Sequence, residues 1–297
     1  MIFLTGDVHH TALKTFDQKF LKEPEPNLAQ QWVEVVNRYS LKATLFVTGL
    51  AALESPRVFE KISTQHCLEI GGHTFDAFSN RRKHEFFNIT TGSFYGPRWY
   101  QRRDVAKTIK AIKDVTGINI KSWRSHAYRS DSITCSILRD FGITHHSDKL
   151  DPDAIIEKNE GLYHIPVNTP EDHSHIIHGI RSSELLERDK IIMNKGIPGF
   201  FKLKSLPDRR GLRLAIGREY RRLRRKPPNK PPNKIWPVEK WLEEVLQTIS
   251  SNLKHKGYAS VVAHPACMSI TDGMKTFEML CKELVSMKTM KISEYKS

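Results

Sequence analysis

Short β-type apolar runs alternate along this chain with longer stretches in which apolar residues recur at every third or fourth position. The first run, IFLTG, gives way to a stretch in which Leu28, Trp32, Val35, Val36 and Tyr39 share one helical face, with Asn27 as the expected cap. KATLFVTG then reads as a strand, Ser55-Pro56 as the cap and first-turn proline of a helix, and CLEIGGH as a strand with a glycine-rich exit. A helix from about Asp104 to Val115 precedes a strand in INIKSWR, and a helix starting after Ser130 precedes a strand in GITHH. Beyond YHIPVN the alternation lapses until Trp236, where PVEKWLEEVLQTISSNL resumes helical spacing before a strand in YASVVAH and a closing helix from near Asp272. Such alternation predicts an α/β fold on a parallel sheet or barrel.

The polar residues that end these runs carry the chemistry. Asp7 follows IFLTG, His73 follows LEIGG, Arg124 follows INIKSW, His146 follows GITH, and His264 follows ASVVA. In parallel α/β folds the C-terminal strand ends are where loops converge and sites are assembled. A lone histidine is more often structural than functional, but five ionisable groups at equivalent places point to one site.

Composition changes this picture only locally. The 297 residues, 39% hydrophobic and 27% charged, suit a folded globular chain, expected to be one domain over 1–297. Four scattered cysteines, without a CxxC pair, point to neither a disulfide framework nor a structural zinc site, and with no leader-like or membrane-spanning apolar stretch a cytoplasmic protein is expected. The formal charge of +14 is concentrated in a Pro/Arg-rich segment, GREYRRLRRKPPNKPPNK, within a basic insertion assigned to 190–236. With Phe200, Phe201, Leu203 and Leu206 just upstream, residues 197–234 could make peripheral contact with an anionic membrane, or form a solvated basic helix and loop. Aromatics interleaved for base stacking are lacking, so nucleic acid is not the expected partner.

The order LTGD, KATLFVTG, EIGGHTF, SWRSHAYRSD, GITHHSD, GLYHIPV and VVAHPACMSITDGMKTFEML resembles the polysaccharide deacetylases of the NodB-homology, carbohydrate esterase family 4 type. That resemblance implies a distorted (β/α)7 barrel and metal-dependent hydrolysis of an N-acetyl or O-acetyl group on a sugar, in surface-glycan metabolism. The sugar could be lipid-linked or phosphorylated. It implies that Asp7 is the catalytic base, that Arg124 orients it and keeps it charged, and that His264 is the general acid. It also implies that His73 is a metal ligand. Val8 stands where the family has a second aspartate, and Ala77 where it has a second histidine, so two of three expected ligands are missing. His9 or His10 is the candidate replacement for the first and Asp76, with His84 further on, for the second. Alternation along an extended segment puts His9 on the same side as Asp7. Such nitrogen and oxygen donors suit zinc, with cobalt or nickel as alternatives. The other reading gives His9 or His10 and Asp76 structural roles, in an inactive barrel that binds carbohydrate.

Overall fold

The first strand, β1 (Ile2–Val8), is buried along its whole length, as expected for a strand covered on both faces of a parallel sheet. Helix α1 (Glu25–Arg38) follows, then β2 (Ala43–Val47), α2 (Gly49–Glu54), α3 (Pro56–Ser63), β3 (Leu68–Gly72), α4 (Arg81–Thr91) and α5 (Arg98–Thr116). Next come β4 (Ser122–Trp123), α6 (Ser132–Asp140), β5 (His145–His146), β6 (Glu157–Asn159) and β7 (Leu162–His164). The chain closes with α7 (Val238–Lys256), β8 (Ala259–Val262), α8 (Pro265–Asp272) and α9 (Lys275–Leu284). This is a computed structural model, and it describes residues 1–13, 17–159, 161–173 and 237–296. The basic insertion assigned to 190–236, including the candidate membrane segment 197–234, lies outside the described residues.

The strands form one sheet in the order β6-β7-β5-β4-β3-β2-β1-β8, parallel throughout except for β6 against β7. Seven parallel strands curl into a half-barrel, in keeping with the (β/α)7 expectation. The segment after β7 reaches across to β8. The Asn168 backbone N–H donates to the Ser260 carbonyl at 3.3 Å, and the Ser260 N–H donates to the Asn168 side-chain oxygen at 2.8 Å.

Several predicted boundaries move. Helix α1 starts at Glu25 behind Pro24, because Pro26 in the first turn supplies a preset φ, so Asn27 is inside the helix and caps nothing. Helix α5 begins six residues before Asp104. The expected strand in INIKSWR pairs only at Ser122–Trp123. Asp272, the last residue of α8, accepts a hydrogen bond from the Thr276 backbone N–H at 3.0 Å and so ties the end of α8 to the first turn of α9.

Register makes the site. Val8 pairs with Val47, Val47 with Gly72, Gly72 with Trp123, Trp123 with His146, and His146 with His164, which is one continuous row across six strands. The residues one step beyond that row, His9, His73, Arg124 and Ser147, therefore emerge at one level. At Gly72 the chain needs glycine, since a Cβ would stand 2.4 Å from the Trp123 ring.

Candidate active site and metal centre

Asp7 lies at the centre of the curled sheet, buried, with its carboxylate 2.9 Å from Nη1 of Arg124. Arg124 has no solvent exposure. Its Nη2 donates to Thr5 Oγ1 and Ser147 Oγ, its Nε donates to the Ser147 carbonyl, and its plane lies 4.4 Å from the Phe46 ring centroid. Burial by itself would raise the Asp7 carboxyl, but the guanidinium, with His73 and His264 nearby, holds it well below the usual carboxylate range. A buried, hydrogen-bonded guanidinium is thus spent on keeping one carboxylate ionised.

The other Asp7 oxygen lies 3.3 Å from Nε2 of His264. The opposite ring nitrogen of His264, Nδ1, is 2.6 Å from Asp172, whose second oxygen accepts the His264 backbone N–H. Burial works against a charged imidazole there, yet Asp172, Cys267 and Asp7 together raise His264 well above its usual value. The pair is an ionised carboxylate facing a protonated imidazole.

Beside Asp7 three imidazoles converge. His9 Nε2 is 3.0 Å from His126 Nδ1, and His126 Nδ1 is 3.4 Å from His73 Nε2, which is itself 3.9 Å from Asp7. The outer nitrogens are committed to acceptors: His9 Nδ1 to Glu25 at 3.0 Å and His73 Nδ1 to the Arg124 carbonyl at 2.8 Å. Acceptors there put the ring protons on Nδ1 and leave both Nε2 atoms as lone pairs aimed inward. Burial lowers His73 to about 4 and His126 well below its usual value, so both rings are neutral.

Three inward nitrogens with at most one proton among them form a donor set that a divalent cation satisfies. With metal–nitrogen bonds near 2.0–2.1 Å, an octahedral ion sets neighbouring ligand nitrogens about 2.8–3.0 Å apart and a tetrahedral ion about 3.3–3.4 Å apart. The two closest separations here, 3.0 and 3.4 Å, fit. Glu25 and the Arg124 carbonyl are the outer partners that fix tautomer and ring orientation in histidine metal sites. The trio is the group of His9, His73 and His126 that could hold an ion.

Of the residues singled out in the sequence, Asp7, Arg124, His264, His73 and His9 meet at this site. His10 and Asp76 do not join the trio. His10 turns to the other side of β1, 3.4 Å from Thr48 Oγ1, because alternation sends neighbouring side chains to opposite faces. Asp76 accepts from Ser79 Oγ at 3.0 Å within its own turn. His84, on α4, is buried with Nδ1 against the Phe94 carbonyl. The third nitrogen of the trio comes from His126, on the loop after β4, a residue the sequence had not singled out. The loop that carries it has Ala127 and Tyr128 at φ 54°, a left-handed conformation that costs about 1–2 kcal/mol per residue. His126, Glu25 and Asp172 had no signal in spacing, since each acts through a partner at least 16 residues away.

Residues 7–146 match the family model of polysaccharide deacetylases. Over that span, just under half of its length, the chain is similar to polysaccharide deacetylases. The sequence has no significant match among curated proteins. A candidate polysaccharide deacetylase from Mycobacterium smegmatis is similar over 98% of this chain and 86% of its own, at 15% identity and a TM-score of 0.61. A CE4-family pseudoenzyme from Bacillus anthracis is similar over 99% of this chain and 64% of its own, at 14% identity and TM-score 0.51. The Puue allantoinase structure is similar over 98% and 86%, at 11% identity and TM-score 0.55. At these identities the neighbours establish the deacetylase-type fold, and the chemistry rests on this chain's own residues.

Proposed function

We propose that this chain is a metal-dependent deacetylase that removes an acetyl group, N-linked or O-linked, from a sugar. The observation that carries this is the inward-facing trio of His9, His73 and His126, set beside an ionised Asp7 and a protonated His264. Zinc suits three imidazoles best, with cobalt and nickel as chemically similar alternatives. A divalent ion held there would supply Lewis acidity to the acyl oxygen and would lower the pKa of water from about 15.7 towards about 7.

The protein's part is to place protons. Asp7, kept ionised by Arg124, accepts the proton of the attacking water. His264, charged through Asp172, gives a proton to the departing amine or alcohol, so that water and acetylated sugar become acetate and free sugar. His9, His73 and His126 would hold the divalent ion, and Glu25 keeps the His9 ring turned inward.

A second reading is an inactive carbohydrate-binding barrel. It is favoured by Val8 in the place of a ligand aspartate and by the similar fold of the Bacillus anthracis pseudoenzyme. Two measurements separate the readings: elemental analysis of protein purified without chelator or affinity metal, and acetate release from N-acetylglucosamine oligomers and acetylated xylan. The deacetylase reading expects about one ion per chain at the trio, lost in His126→Ala, and turnover that falls at least about 10²-fold in Asp7→Asn. Sugar binding with no ion at the trio and no acetate would establish the other.

A further inference from the structure

One strand further along the same row lies a second cluster with different chemistry. Cys135 of α6, His146 at the end of β5 and His164 at the end of β7 present Sγ and ring nitrogens that all lie within 4.8 Å of one another. Cys135 Sγ is 3.8 Å from His146 Nδ1, and the Nδ1 atoms of His146 and His164 are 3.4 Å apart. A tetrahedral zinc with Zn–N near 2.05 Å and Zn–S near 2.3 Å places nitrogens about 3.3 Å apart and sulfur about 3.6 Å from nitrogen. The observed edges match those of such a tetrahedron to within a few tenths of an ångström. Asp148 sits on the far side of the His146 ring, 2.9 Å from Nε2, where a carboxylate orients a metal-bound imidazole. The two atoms lie at ion-pair distance.

From this geometry we propose that Cys135, His146 and His164 form a second zinc site, separate from the His9–His73–His126 trio and supported by Asp148. The adjoining cleft, about 200 Å³ and edged by Asp131, Glu157 and Asn159, gives an entry path and room for a water as fourth ligand. Thiolate with imidazole is a borderline-soft donor set, which favours zinc over magnesium or calcium. The site's role is to clamp. It joins α6 to β5 and β7, and it holds Asp148, whose other oxygen accepts the Ser125 backbone N–H at 2.5 Å. Ser125 opens the loop that delivers His126, so the second ion fixes the loop on which the first site depends.

Cobalt tests this, because only the second site contains sulfur. Metal-free protein would be titrated with Co²⁺ while the near-ultraviolet thiolate-to-cobalt charge-transfer band is followed. The expected result is one equivalent that produces the band, displaced by Zn²⁺, absent in Cys135→Ser and at least tenfold weaker in binding in His164→Gln. In His126→Ala the band should persist, so failure of the first site would not be mistaken for failure of the second. Thermal unfolding of the metal-free variants checks that both fold. The proposal falls if the wild type shows no band, if the band survives in folded Cys135→Ser, which would place the sulfur elsewhere, for instance at Cys267, or if His164→Gln binds cobalt as tightly as the wild type.

Discussion

At the scale of single residues, the site runs on pairs whose charges hold each other. Asp7 and His264 have opposite proton preferences because Arg124 faces one and Asp172 the other. The second pair makes a pH prediction. In the proposed mechanism His264 acts as an acid in its protonated form, and Asp172 raises it well above 6.5, so activity should extend above neutrality before the basic limb sets in. Asp172→Asn removes the negative charge and should bring that limb down to lower pH while lowering kcat by about 10²-fold, read from the pH profile of kcat. A basic limb that stays in place would remove Asp172 from this role. Asp7, His73, Arg124 and His264 were legible because each directly ends an apolar run. His126 and Asp172 were not, since a loop residue carries no periodicity and its partner is chosen by the fold.

At the scale of elements, helix α1 contributes to chemistry through its first turn. Glu25 is buried at the helix start, and burial would raise its carboxyl, but the contact with His9 lowers it, so an ionised carboxylate backs the ring. Gln18 Nε2 donates to its other oxygen at 3.1 Å. Glu25→Gln should weaken metal binding at the trio about 10–100-fold, measured by chelator competition, with little change in the fold. The amphipathic pattern of α1 was plain in Leu28, Trp32, Val35 and Val36, all buried. That its polar first turn faces a histidine was not, because a helix period tells which face is apolar and not what its ends meet. The strand ends were readable for the opposite reason. A parallel sheet in register brings equivalent positions to one level whatever loops intervene.

At the scale of the whole molecule, the closing of the half-barrel decides whether the acid reaches the base. Asn168 ties the segment after β7 to β8, and its carbonyl accepts from Asn252 at 2.9 Å. Four residues later the same segment delivers Asp172 to His264. Asn168→Ala strands the buried Ser260 N–H, and should cost about 1–3 kcal/mol in urea unfolding and lower activity with it. The sequence by itself determined the α/β class, much of the alternation of strands and helices though not α2, α4, β6 or α8, and four of the ionisable groups that the sheet collects. These follow from periodicity and from the constant offset between a strand and the residue after it. Tertiary structure alone decided that His126 meets His9 and His73, that Glu25 and Asp172 orient the rings, and that Cys135 meets His146 and His164. Each of those depends on loop geometry and on contacts between segments remote in the chain, which no local pattern encodes.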